Sequence, residues 1–184
     1  MSKLVDLIRH GQSTFNAAYA ETQRDPLHYD ARLTPLGHAQ VAAARATLAM
    51  TDYELIVTSP FTRAIETTLG LFGTSATPIF VEALHRERLE SSCDIGRPAA
   101  ALARDFPSLA FDHLADPWWH DGAEKDVLGH AIEPEAVFAA RLAGFRAWLG
   151  ARPERRIAVI GHGTFFFRLT GVALANCGVL RWSP

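Results

Sequence analysis

The sequence predicts an α/β fold, a mostly parallel sheet with helices on both faces, and three observations predict it. Short apolar runs rich in β-branched residues recur at 3–8, 55–58, 78–81 and 157–160. Helix-compatible stretches separate them. Two of the runs end alike, with a histidine followed by glycine: Leu4-Val5-Asp6-Leu7-Ile8-Arg9-His10-Gly11 and Ile157-Ala158-Val159-Ile160-Gly161-His162-Gly163. Strands alternating with helices pair in parallel, and strands covered on both faces read as continuous apolar runs.

Each element has its own signal. Residues 3–8 form the first buried strand, in which Asp6 is the odd member and needs a partner inside the fold. A helix covers 12–21, and Asp25-Pro26 opens a loop. Thr34 and Pro35 are an N-cap and first-turn pair that starts an alanine-rich helix ending near Met50. The strand at 55–58 is followed by Ser59-Pro60, which opens the next helix, and residues 78–81 form a third strand. Between 82 and 132 the chain is irregular, with Pro98, Pro107, Pro117 and the Trp118-Trp119 pair, and one helical stretch at 99–105. So long an irregular segment in a compact fold is more often functional than idle. Pro134 begins an amphipathic helix to Leu149, residues 157–160 form the fourth strand, Gly163 leads into a helix, and 178–182 form an edge strand.

At 184 residues the length fits one domain spanning 1–184. Such a chain buries about 70% of its unfolded surface and needs no staple. Eighteen Lys and Arg against twenty Asp and Glu give a net charge of −2, which argues against bulk binding to nucleic acid. Cys93 and Cys177 have no zinc-type spacing. No 18-residue apolar run exists and no apolar leader opens the chain, so no membrane span is expected and the predicted location is cytoplasmic. Oligomeric state has no sequence signal.

In parallel sheets ligands bind outside the carboxyl ends of the strands, where both His-Gly turns fall. Glycine permits close backbone approach there, and helix N-termini offer amide donors to an anion. Arg9 adds a permanent charge beside His10. Arg63 lies in the first turn of a helix, where its charge opposes the dipole and a solvated role gains nothing. Two arginines, two histidines and helix N-termini at one sheet edge make a phosphate site.

Five ordered motifs then carry a resemblance: LIRHGQSTFN (7–16), DARLTPLGHAQ (30–40), TSPFTRAIETT (58–68), LHRERLESSCDIGR (84–97) and IAVIGHG (157–163). Together they resemble the histidine phosphatase superfamily, in its phosphoglycerate mutase-like branch. The resemblance implies a three-layer α/β/α sandwich and a covalent phosphohistidine intermediate, with no metal and no cofactor. It also implies roles: His10 as nucleophile, Arg9 and Arg63 as phosphate clamps, Asn16 as a donor to phosphate, His162 as second pocket histidine and Glu87 as general acid. Gly163 and Thr164 are expected to offer a backbone donor. Arg97, in the segment after the acid and beside a Gly-Arg-Pro bend, is expected to meet a second anionic group of the substrate, with Arg86 and Arg88 as the alternatives for that role.

Physical chemistry sets conditions on these roles. The nucleophilic imidazole must be neutral at its attacking nitrogen, so its other nitrogen should donate to a carbonyl. Arg9, Arg63 and a protonated His162 would supply fixed positive charge to the transferring group. Glu87 needs a raised pKa, whereas its neighbours Arg86 and Arg88 would lower it unless both point away. Competing readings are a Cys93 thiol, metal binding by His113 and His120, and substrate contact by Trp118-Trp119. No Cys-x5-Arg loop follows Cys93, which argues against the thiol, and surface or packing roles are favoured for the histidines and tryptophans. Glu66 reads as an i,i+3 partner or a solvated helix face, and His38 and Gln40 as helix residues facing solvent or the sheet. The expected function is phosphatase action on a small phosphorylated substrate. The alternatives are mutase-type phosphoryl transfer, for which the 87–162 segment is short and the only Arg pair, Arg155-Arg156, lies at the far strand end, and a phospho-ligand binder without catalysis.

Overall fold

A computed structural model describes residues 3–48 and 51–183. Its sheet has five strands in the order β3-β2-β4-β1-β5: β1 (Leu4–Arg9), β2 (Leu55–Thr58), β3 (Ile79–Val81), β4 (Arg156–Gly161) and β5 (Val179–Trp182). All pairings are parallel except that of β5, which runs antiparallel along the edge of β1. The helices are α1 (Thr14–Thr22), α2 (Pro35–Leu48), α3 (Thr62–Phe72), α4 (Ala99–Asp105), α5 (Glu135–Ala151) and α6 (Gly163–Thr170). The expected end of α2 at Met50 lies outside the described residues.

Successive strand residues point to opposite faces, and this splits the core in two. Leu7, Val57 and Val159 pack with Phe138, Phe145 and Phe165 of α5 and α6. Their neighbours Ile8, Ile56 and Ile160 pack instead with Val41 of α2 and with Ala64 and Leu71 of α3. The result is a three-layer α/β/α sandwich. A third cluster joins Phe61 and Ile65 to Leu102, Phe111 and Trp118, which fastens the irregular 82–132 segment over α3. Trp118 is buried there, and its indole donates to the Arg97 carbonyl at 2.8 Å.

Local signals act as expected at several ends. Thr34 caps α2 by accepting the Gly37 amide at 2.9 Å. Asp6 is partnered by the Tyr53 hydroxyl at 2.8 Å and by Arg181 at 3.0 Å. Two boundaries differ. α3 starts at Thr62 rather than at Ser59-Pro60, because the Thr62 amide is satisfied by Asp30. A short 3-10 turn at Ser92–Asp94, unsignalled in the sequence, is fixed by Asp25, which accepts the Ser92 amide at 2.7 Å and its hydroxyl at 2.5 Å.

The loop after His10 leans directly on α2. A β-carbon on Gly37 would lie 2.2 Å from the Gln12 carbonyl oxygen, so helix and loop approach backbone to backbone. Gln40, expected on a plain helix face, accepts the Gln12 amide at 2.8 Å and so braces the same loop. Gly37→Ala should therefore lower stability by about 1–3 kcal/mol through overpacking and reduce turnover as well, read by urea unfolding and initial rates. Unchanged stability and unchanged turnover would refute the backbone contact.

Candidate active site

The parallel register of β1 and β4 places Arg9 beside Gly161, and the His10 amide donates to the Gly161 carbonyl at 3.0 Å. Both histidines therefore leave the sheet at one edge, with ring centroids 5.3 Å apart. They meet a cavity of about 190 Å³ lined by Arg9, His10, Asn16, Arg63, Glu87, Arg88, Glu90, Asp94, Gly163 and Thr164, among others.

His10 Nδ1 lies 2.7 Å from the Gly11 carbonyl, which fixes Nδ1 as the protonated nitrogen and leaves Nε2 for the cavity. The carbonyl is itself steadied, since the Gly11 amide donates to Thr67 Oγ1 at 3.0 Å. Burial, followed by the nearby Arg63 charge, holds the His10 pKa well below the ordinary histidine value. The ring is neutral at neutral pH.

Arg63 is buried in α3 and oriented by its surroundings. Nη1 donates to the Cys93 carbonyl at 2.6 Å and Nη2 to Asp94 at 2.9 Å, while the guanidinium lies 4.4 Å over the Phe61 ring. Two of its five donors are used, so the rest remain for an anion. Arg9 Nη1 donates to the Leu174 carbonyl at 2.8 Å, and its Nε is buried without a partner. Its guanidinium slides under Gly163, where an added β-carbon would stand 3.2 Å from Nε. Asn16 Oδ1 accepts the Ser13 amide at 3.2 Å and the Asn176 amide at 3.5 Å, which turns its NH2 away from both.

Glu87 caps the start of α6. Its carboxylate accepts the amides of Thr164 and Phe165 at 2.9 Å each and that of Arg88 at 3.0 Å. Burial raises its pKa, opposed by these amides and by Arg63. The neighbouring guanidiniums are engaged elsewhere: Arg86 with Glu133 at 3.2 Å, and Arg88 with Glu135 at 3.0 Å and Glu90 at 3.2 Å. The objection they raised from sequence is met.

The fold and this cleft define an α/β protein with an anion-receptive pocket at the carboxyl ends of its parallel strands. Residues 5–179 match the family model of the histidine phosphatase superfamily (branch 1), and the chain belongs to that superfamily. It is 28% identical to a phosphoglycerate mutase-like protein of Arabidopsis thaliana, over 95% of this chain and 76% of that protein. It is 26% identical to glucosyl-3-phosphoglycerate phosphatase of Mycobacterium tuberculosis, over 96% of this chain and 77% of that one. Among solved structures, a mycobacterial glucosyl-3-phosphoglycerate phosphatase aligns with a TM-score of 0.65 at 23% identity, covering 98% of this chain and 90% of its own. Ecdysone phosphate phosphatase from Bombix mori, in complex with tungstate, aligns with a TM-score of 0.66 at 16% identity, covering 97% and 88%. At those identities the structural likeness speaks for the fold. The superfamily and its named relatives make this an enzyme of phosphatase or mutase type.

Several expectations need correction. His162 is fully buried beside His10 and accepts or donates at Ser59 Oγ, 2.8 Å away. Burial first, then Arg63 and His10, push its pKa well down, so it is neutral rather than protonated. The resident positive charge belongs to Arg9 and Arg63. The Thr164 amide is taken by Glu87, which leaves Gly163 as the backbone donor on the cavity wall. Cys93 is buried, with burial raising its thiol pKa, which ends its candidacy as nucleophile. His113 binds the Val81 carbonyl at 2.7 Å and stacks on Phe80. Glu66 is neither an i,i+3 partner nor a solvated face: it pairs with Arg32 at 2.9 Å and accepts the Leu33 amide at 2.8 Å. Sequence reasoning missed Asn176, whose amide donates to the His10 carbonyl at 2.9 Å; nothing local to that residue signals it. Asp94, within the 84–97 motif, orients Arg63 at 2.9 Å, a role that its sequence neighbours do not signal.

Arg97 is the clearest displacement, because it lies outside the cavity. Its Nε donates to Asp30 at 2.7 Å, Nη1 to Asp105 at 2.7 Å and Nη2 to Thr62 Oγ1 at 2.9 Å. Asp30 is 1% exposed, so its partner serves the fold. Arg97→Ala should lower stability by about 1–3 kcal/mol, through a buried carboxylate left without its cation, and leave KM unchanged for singly and doubly anionic substrates. A selective rise in KM for the doubly anionic one at wild-type stability would restore the substrate role.

Proposed function

We propose that the protein is a metal-independent phosphomonoesterase, one domain over 1–184, that works through a phosphohistidine. The observation that carries this reading is the 2.7 Å contact of His10 Nδ1 with the Gly11 carbonyl, which presents a neutral Nε2 to a cavity that the buried Arg63 and the half-buried Arg9 also line. Nε2 attacks phosphorus and the ester P–O bond breaks. Phosphoryl transfer has a loose transition state with charge on its equatorial oxygens, so positioning and fixed charge do most of the work. Arg9 and Arg63 supply that charge, and Asn16, Gly163 and the neutral His162 supply hydrogen bonds. Glu87, whose pKa burial raises, protonates the leaving oxygen and then, as carboxylate, takes the proton of the water that attacks the phosphohistidine.

Hydrolysis is favoured over mutase chemistry by the charge of the cavity wall. Beyond the two phosphate clamps, the lining cation is Arg88, and it is already paired with Glu90 and Glu135. Glu90 adds an acidic side chain to that wall, and Asp94 is committed to Arg63 at 2.9 Å. A bisphosphorylated intermediate needs a second anion grip, and the Arg155-Arg156 pair stands at the opposite end of β4. The reading therefore takes a phosphomonoester of a neutral, hydroxyl-bearing alcohol as substrate.

Rapid quench with a labelled phosphomonoester, in EDTA, should trap acid-labile, base-stable label on His10, and His10→Ala should trap none. Normal turnover with no phosphoenzyme would sink the mechanism. Glu87→Gln should cut kcat/KM by about 10²–10⁴-fold for an alkyl phosphate and only mildly for p-nitrophenyl phosphate, which leaves well unprotonated. It should also remove the decline of activity with rising pH, since the raised Glu87 pKa means the acid is lost as pH climbs through it. Equal slowing of both substrates would exclude Glu87 as the acid.

A further inference from the structure

Beneath Glu87 lies a charged pair that the mechanism does not use. Arg141 of α5 and Glu133, just before that helix, meet through two contacts, Nε to Oε1 at 2.9 Å and Nη2 to Oε2 at 2.6 Å. Their side chains are 5% and 0% exposed. A buried ion pair is a poor source of stability, since apolar residues of similar volume often serve as well or better. Packing alone gives no reason for it.

The rest of the contacts do. Arg141 Nη1 donates to the carbonyls of Leu84 at 2.9 Å and Arg86 at 2.6 Å, and Nη2 to that of Glu87 at 3.3 Å. Glu133 takes Arg86 Nη2 at 3.2 Å and the Leu89 amide at 3.4 Å on its carboxylate. Its own amide donates to the Leu89 carbonyl at 3.2 Å, and its carbonyl accepts Arg88 Nε at 3.3 Å. Leu84 and all of 86–89, a stretch with no helix or strand, are thereby held through one buried pair. With the Glu87 carbonyl committed to Arg141, the side chain is left to the α6 side, where the Thr164 and Phe165 amides receive it. Arg141 also lies 5.5 Å over the Phe165 ring, so it touches both the loop that carries Glu87 and a residue that grips its carboxylate.

We propose that Arg141 and Glu133 form a positioning clamp that fixes the Glu87 carboxyl at the leaving-group side of the phosphate pocket. Neither residue touches the reacting atoms. The inference rests on Glu87 being the general acid, and the test carries Glu87→Gln alongside so that the two ideas fail separately.

Arg141→Lys keeps the charge but not the fork that spans three carbonyls and a carboxylate. Glu133→Gln keeps the shape and loosens the fork. In folded protein, each should lower kcat/KM for an alkyl phosphate by about 30-fold or more, since a displacement near 1 Å can cost about 10²-fold. Each should leave p-nitrophenyl phosphate within about 3-fold, because that leaving group needs little proton donation. Adding Arg141→Lys to Glu87→Gln should bring no further loss of selectivity. If Glu87→Gln splits the two substrates and the clamp variants slow both equally, slow neither, or both fail to fold, the clamp is structural and the proposal falls alone. If Glu87→Gln shows no split, the acid assignment falls first.

Discussion

The parallel pairing of β1 with β4 aligns Arg9 with Gly161 and carries the two chain segments forward together, so that His10 and His162 emerge at one edge with rings 5.3 Å apart. Everything chemical in the protein depends on that register. Strand side chains alternate faces, so a slip of one residue would send Arg9 to the other side of the sheet and break both apolar faces at once. The register is therefore held by the core. Leu7, Val57 and Val159 on one face and Ile8, Ile56 and Ile160 on the other are each tied to different helices.

Around this edge the fold concentrates charge in a buried place. Arg63 is held against Asp94 at 2.9 Å, and Glu87 is drawn onto the α6 N-terminus by backbone amides. Burial acts in opposite senses on the two kinds of group. It pushes the histidines down toward their neutral forms and raises the carboxyls toward theirs. A guanidinium starts from so high a pKa that it keeps its charge even at Arg9, where burial lowers it, which is why arginine and not lysine or histidine supplies the positive field. A neutral nucleophile, a fixed cationic cradle and a protonatable acid are thus consequences of burial at one sheet edge.

The fold was legible because its signals are local. Apolar runs, the Thr34-Pro35 helix start and the repeated His-Gly strand ends each sit within a few residues. The His10, Arg9 and Arg63 cluster was legible for the same reason, since strand ends and helix starts in a parallel sheet share an edge. What sequence could not supply was partnership across long separations. Arg97 reads as a free cation until Asp30, 67 positions away, is seen to hold it. Asn176 reaches the His10 carbonyl across 166 positions, and Glu133 and Arg141 reach the Glu87 loop across about fifty. The charge of His162 is not legible in the sequence, because burial, which no motif reports, decides its protonation.

The central claim is that phosphoryl transfer runs through Nε2 of His10 with Arg9 and Arg63 as its cradle. A crystal structure with orthovanadate, which takes the five-coordinate geometry of the transferring group, addresses it directly. The account predicts vanadium bonded to His10 Nε2, with its equatorial oxygens within hydrogen-bond distance of Arg9, Arg63 and Asn16, and one apical oxygen turned toward Glu87. Vanadium bonded to His162, or an anion seated away from His10 Nε2, would contradict it.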